Sequence, residues 1–211
     1  MSFFSRFSRG QLPLTRLEAF SDGVFAIIVT LLVLELKIPA LQDDENVREL
    51  ARQLIDLLPK YLSWLISFII VAKFWLNHHH IFRLASHANY GLIWLNSFFL
   101  MFQSFVPFPT ALMGEYPDNP LAVSFFGVVM ALNTVLFIAL HAYILRHMLK
   151  PERAASVPKG IISKSFIGVV FYLAGAAAAW VNVYLAFGLY LITPLFFLVP
   201  PETLEAKRTK S

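Results

Sequence analysis

Read for polar and apolar positions, the chain divides into long apolar runs separated by short polar stretches. The first run covers residues 19–36, with Asp22 near one end and Glu35 near the other. It is long enough to cross a bilayer, which takes ~20 residues of helix. Residues 41–58 differ: Asp43, Asp44, Glu45, Glu49 and Asp56 alternate with Val47, Leu50, Leu54, Ile55 and Leu58 at helical spacing. That pattern predicts an amphipathic helix lying at a surface rather than a span. Further apolar runs of span length cover 61–82, 92–113 and 121–148. The stretch 165–200 then carries no charge over 36 residues. At ~1.5 Å rise per residue this is nearly twice one bilayer crossing, so it predicts a helical hairpin, 165–181 and 183–200, turning near Trp180 to Tyr184.

The expected fold class is therefore all-α: a polytopic membrane protein of six transmembrane helices, with residues 1–211 forming one six-span domain. Composition agrees, since 58% of the residues are apolar, 14% are charged and the mean hydropathy is +0.66. A soluble domain has about 25% charged residues. The net charge of +4 could suggest a nucleic-acid partner, but the basic residues sit in short clusters between the apolar runs. Arg6, Arg9 and Arg16 precede span 1, and Arg83 follows span 2. Arg146, Lys150, Arg153, Lys159 and Lys164 follow span 4, and Lys207, Arg208 and Lys210 end the chain. All fall on one side of a six-span topology, whereas Lys37, Arg48, Arg52 and Lys60 on the other side are outnumbered by acids. The positive-inside rule then places both termini in the cytosol, and no nucleic-acid partner is expected.

Cysteine is absent, which removes thiolate metal sites and cysteine nucleophiles. No Gly-rich phosphate loop, His-Glu-x-x-His run or nucleophile elbow occurs, so no enzyme is expected and no cofactor. Asp22 and Glu35 stand thirteen residues apart on one helix, ~20 Å along its axis, too far for paired-carboxylate chemistry. His78, His79 and His80 are consecutive. They point about 100° apart on a helix and do not converge on one metal ion.

Polar side chains at membrane depth need a partner, a watery cavity or a function. Arg16, Ser21 and Asp22 at one end of span 1, and Lys73, Asn77 and the histidines of antiparallel span 2, fall at similar depth. They predict a polar network between the two spans, with Asp22 as its carboxylate and Arg16, Lys73 or a histidine as partner. Such a network either pins a helix pair or relays protons.

The Arg16-x-x-x-Phe20-Ser21-Asp22 start of span 1, followed by its Ile-, Leu- and Thr-rich run, resembles the signature of the transmembrane protein 175 family of potassium channels. The Trp75-x-x-His78-His79-x-x-Phe82 stretch resembles that family's second motif. The resemblance implies a homotetramer with no cofactor, in which the first helix of each subunit lines a pore for monovalent cations, potassium above all. It implies a constriction of apolar rings at Ile27, Leu31 and Leu34, with Thr30 bearing on ion selectivity. Arg16, Phe20, Ser21, Asp22, Trp75, His78 and His79 are its implied polar network. Location in a prokaryotic plasma membrane is implied by the same resemblance.

The residues themselves are compatible with this. Positions 27, 31 and 34 share one helix face, Thr30 borders it, and Glu35 near the outer end is placed to concentrate cations or to pair with Lys37 or Arg48. Two other classes remain open: a proton-coupled secondary transporter using Asp22 and the span 2 histidines, and a noncatalytic membrane scaffold.

Overall fold

The structure, a computed structural model, describes residues 13–157 and 160–198. The basic residues Arg6, Arg9, Lys159, Lys207, Arg208 and Lys210 lie outside the described residues. In chain order the helices are α1 (Leu14–Leu32), α2 (Val47–Asp56), α3 (Leu58–Phe82), α4 (Tyr90–Ser104), α5 (Pro107–Glu115), α6 (Pro120–His147), α7 (Ile161–Ala178) and α8 (Val183–Leu198). Helix α1 tightens into a 3-10 turn over Val33–Glu35. Among the described residues, four segments are by length and apolar content long enough to cross a membrane: Leu14–Glu35, Leu58–Phe82, Tyr90–Glu115 and Pro120–His147. The two apolar helices that follow them, α7 and α8, are shorter.

Local chemistry accounts for most of the boundaries. Asn46, Asn89 and Asn119 cap α2, α4 and α6 by accepting from backbone N–H groups of the first turn. Pro120 follows its cap at the position where a missing N–H costs nothing. The amphipathic segment is helical over Val47–Asp56, shorter than the expected 41–58, because Asn46 fixes its start; Glu49 reaches back to the backbone N–H of Gln42 at 3.0 Å.

The third apolar run, expected as one helix over 92–113, is interrupted at Phe105–Val106. Pro107 and Pro109 are the cause. Neither has an N–H for the carbonyl four residues back, so Gln103 O accepts from Val106 N at 3.1 Å and Phe105 O from Phe108 N at 3.1 Å instead.

Helix α6 is the centre of the molecule, packed on α3, α4, α5, α7 and α8. Glycine makes the closest approach possible on its α8 side: a Cβ at Gly127 or at Gly175 of α7 would collide with the Tyr190 ring. Tyr190 uses that space to donate to the Val123 carbonyl at 2.9 Å, and Ser124 donates to the Ala176 carbonyl at 2.8 Å. The loop after α3 is stapled to the end of α6 by Ser86 N to Met148 O and Lys150 N to Leu84 O. Helix α1 is peripheral, packing on α3, α4 and α5 along one side.

Candidate functional site

That one-sided packing gives α1 two faces. Leu17, Ser21, Phe25, Ile28 and Leu32 are buried against the neighbouring helices, in steps of three or four residues that follow the helical period. On the opposite face Phe20 is 58% exposed, Ile27 59% and Leu31 42%. Thr30 is exposed between them. Leu34 is 68% exposed but belongs to the 3-10 turn, where i, i+3 neighbours eclipse.

The Thr30 hydroxyl donates its proton back to its own helix, to the Ile27 carbonyl at 2.8 Å with the Ala26 carbonyl at 3.1 Å. With the proton committed inward, the oxygen turns its remaining lone-pair density outward. That oxygen is suited to a partly dehydrated cation.

On the buried face a hydrogen-bonded chain ties three spans together. Ser21 donates to the Leu17 carbonyl at 2.8 Å and accepts from Asn96 Nδ2 at 2.9 Å, while Asn96 Oδ1 meets His78 Nε2 at 2.8 Å. All three side chains are buried. The His78 ring stacks on Phe82 at a centroid distance of 4.0 Å and meets Phe25 edge-on at 5.6 Å. Next to this chain, Trp75 Nε1 donates to Asp22 Oδ1 at 2.9 Å, an exposed bond between α3 and α1.

The polar network therefore holds Ser21, Asp22, Trp75 and His78. Arg16, Phe20 and His79 are exposed and stand outside it, and among the described residues no ion pair joins Arg16 or a histidine to Asp22. The reason is helical: Arg16 lies six residues from Asp22, and His79 is a 100° step away from His78. Asn96 is the member that the sequence reading passed over. Its signal in the sequence is an amide at membrane depth, one of two in the apolar run 92–113 with Gln103.

Since Asp22 acts through one acceptor oxygen, Asp22→Asn keeps the Trp75 bond. The expected loss of stability is below about 1 kcal/mol, whereas Asp22→Ala loses the bond outright; thermal unfolding of the two variants reads the difference.

At the far end of α1, Glu35 lines a cavity of about 50 Å³ with Lys37, Lys60, Trp64 and Glu115 among its walls. The ion pair there is Lys60–Glu115 at 2.6 Å, and among the described residues Glu35 forms none with Lys37 or Arg48. His78 turns into the bundle while His79 and His80 face out. Among the described residues no three His, Cys, Asp or Glu side chains gather where they would hold a metal.

Residues 16–107, which contain α1 from Arg16 onward, all of α3 and α4 and both sequence motifs, match the family described as the endosomal/lysosomal potassium channel TMEM175. Over 194 residues the chain is 33% identical to a potassium channel of Chryseobacterium sp. (strain P1-3), covering 90% of this chain and 95% of that one. This chain belongs to the TMEM175 family. It is also 36% identical over 187 residues to a potassium channel of Chamaesiphon minutus (strain ATCC 27169 / PCC 6605), covering 86% and 92% of the two chains. The crystal structure described as a lysosomal potassium-selective channel TMEM175 homolog from Chamaesiphon minutus superposes with a TM-score of 0.75, covering 88% of this chain and 96% of that one at 36% identity. The fold is thus the all-α membrane fold of TMEM175 proteins, a family of ion channels and not of enzymes, and both relatives are bacterial channels.

Proposed function

We propose that this protein is a potassium-selective or potassium-preferring channel of a prokaryotic plasma membrane. It works as a homotetramer with α1 of each subunit lining a central pore. The observation that carries the reading is the two-faced α1: a span within a family of channels that packs one side and leaves Ile27, Thr30, Leu31 and Leu34 uncovered. Each long apolar segment crosses the bilayer once and the α7–α8 hairpin twice, giving a single six-span unit with both termini cytosolic and α2 outside. The described basic residues Arg16, Arg83, Arg146, Lys150, Arg153 and Lys164 support that orientation.

Four copies of the exposed face around an axis stack Ile27, Leu31 and Leu34 as apolar rings. Such rings exclude water at a narrow radius and set the barrier to conduction. Thr30 hydroxyl oxygens, one turn beyond Ile27, replace part of the water lost there. Toward the outer mouth the α1 carbonyl ends and Glu35 add negative potential that favours cations. Ser21, Asn96 and His78, with the Asp22–Trp75 bond beside them, hold α1 in rotational register so that the rings stay aligned.

The test is potassium-driven flux in liposomes holding the purified protein, repeated with sodium and with a proton ionophore. Fast electrogenic flux favouring potassium is expected. Flux that appears only under an imposed proton gradient replaces the channel with a coupled carrier. A narrower expectation concerns Thr30→Ala: losing one ion-facing oxygen worth about 1 kcal/mol lowers the potassium-to-sodium permeability ratio about fivefold. Thr30→Ser restores it, as bi-ionic reversal potentials will show.

A further inference from the structure

Two buried amides at the interruption of the third span belong neither to the exposed face of α1 nor to its anchor. Gln103, near the end of α4, and Asn133, on α6, are both 0% exposed. Gln103 stands thirteen residues into the Tyr90–Glu115 span and Asn133 thirteen into Pro120–His147. At ~1.5 Å per residue both lie about 20 Å from a helix end, near the bilayer midplane.

Asn133 donates Nδ2 to the Val129 carbonyl at 3.0 Å and to the Phe102 carbonyl at 3.3 Å. Two carbonyl acceptors fix the amide's orientation, so Oδ1 is the free end. The Phe102 carbonyl belongs to the peptide that joins Phe102 to Gln103, so Asn133 is bonded to the backbone immediately before Gln103. Three buried atoms of these two side chains, Gln103 Nε2, Gln103 Oε1 and Asn133 Oδ1, have no hydrogen-bond partner among the described residues. Turning the Gln103 amide over exchanges one orphan for the other.

In hydrocarbon surroundings there is no solvent to absorb such a deficit, and irregular backbone at this depth persists where protein or water satisfies it. The chemistry of the three atoms selects the occupant. A cation satisfies the two oxygens and leaves the Gln103 N–H groups facing it. An anion satisfies the nitrogen and repels the oxygens. A molecule that both donates and accepts serves all three. We infer that ordered water bridges Gln103 and Asn133 at the interruption between α4 and α5, forming a buried hydration site at mid-membrane depth beside the helices on which α1 packs. The water serves the side-chain amides alone, since the carbonyls that Pro107 and Pro109 cannot serve already accept from Val106 N and Phe108 N.

The experiment has two arms on the full chain. A density map of the wild-type protein in lipid nanodiscs, at a resolution that shows water, is expected to hold a peak at about 2.7–3.2 Å from the Gln103 amide and Asn133 Oδ1. In the second arm Gln103→Met, close in volume and apolar, is expected to lower the thermal midpoint by several degrees while potassium flux persists, because the water loses partners. An empty site overturns the inference, as does a Gln103 amide paired directly with protein, or a peak contacted by oxygens alone. So does a midpoint that rises in Gln103→Met, the result for an amide that is dry and unsatisfied. Should that variant fail to fold, the wild-type map decides alone.

Discussion

Ile27→Asn is expected to raise single-channel conductance about tenfold and to weaken the preference for potassium. The side chain is exposed on the one face of α1 that its own subunit leaves open. In the proposed tetramer it meets its copies across the axis, and the barrier proposed there is the cost of passing a stripped ion through an apolar constriction. An amide of similar length offers that ion a carbonyl oxygen and keeps water in the ring. A net gain of about 1.4 kcal/mol at the barrier top is the tenfold rise. Preference falls because the ring then accepts ions with more of their hydration shell, which narrows the difference between potassium and sodium. Single-channel recording in planar bilayers checks both parts. Unchanged conductance removes Ile27 from the constriction.

Asn96→Leu is the second large effect, and it falls on assembly rather than permeation. The substitution removes the acceptor of His78 Nε2 and the donor to Ser21 together. Ser21 is left with the Leu17 carbonyl, but His78 keeps a buried ring nitrogen without a partner. The penalty for such a group is about 1–3 kcal/mol. For a chain of this size that lowers the unfolding midpoint by about 2–4 °C per kcal/mol. Recovery of assembled protein falls with it, while channels that do assemble keep the wild-type permeability ratio. Arg16→Ala, at an exposed residue outside the network, is expected to leave stability nearly unchanged. A permeability ratio altered in Asn96→Leu at wild-type stability contradicts the anchoring role.

Much of the helical architecture was legible because the bilayer demands long apolar runs, and such runs are hard to mistake in a sequence. The hairpin in residues 165–200 followed from length alone, and α7 and α8 meet at a turn whose Asn182 caps α8 by accepting from Tyr184 N and Leu185 N. The interruption at Phe105–Val106 does not show in the apolar pattern, because hydropathy says nothing of the backbone N–H groups that Pro107 and Pro109 lack.

At the site, the spacing of Ile27, Leu31 and Leu34 marked a shared face but not which way it pointed; the burial of Leu17, Ser21, Phe25, Ile28 and Leu32 opposite supplies that direction. The sequence pattern predicts Arg16, Lys73 or a histidine as the partner of Asp22, and the structure gives Asp22 the indole of Trp75 and links Ser21, Asn96 and His78 beside it. Formal charge picked out Arg16, and hydrogen-bond geometry picks out Asn96. A sequence does not reveal which of several polar residues on crossing helices comes within 3 Å of another.

The central claim, that the exposed face of α1 lines the conduction path, has a direct test because the chain contains no cysteine. Single cysteines at Ile27, Leu31, Ile28 and Leu32 each introduce the protein's one thiol, and silver ion, small enough to follow potassium, reports which of them the permeating ion meets. Irreversible block of potassium current is predicted for Ile27→Cys and Leu31→Cys, with Ile28→Cys and Leu32→Cys conducting as before. Block confined to Ile28→Cys and Leu32→Cys, or none at any position in conducting channels, contradicts a pore lined by this face.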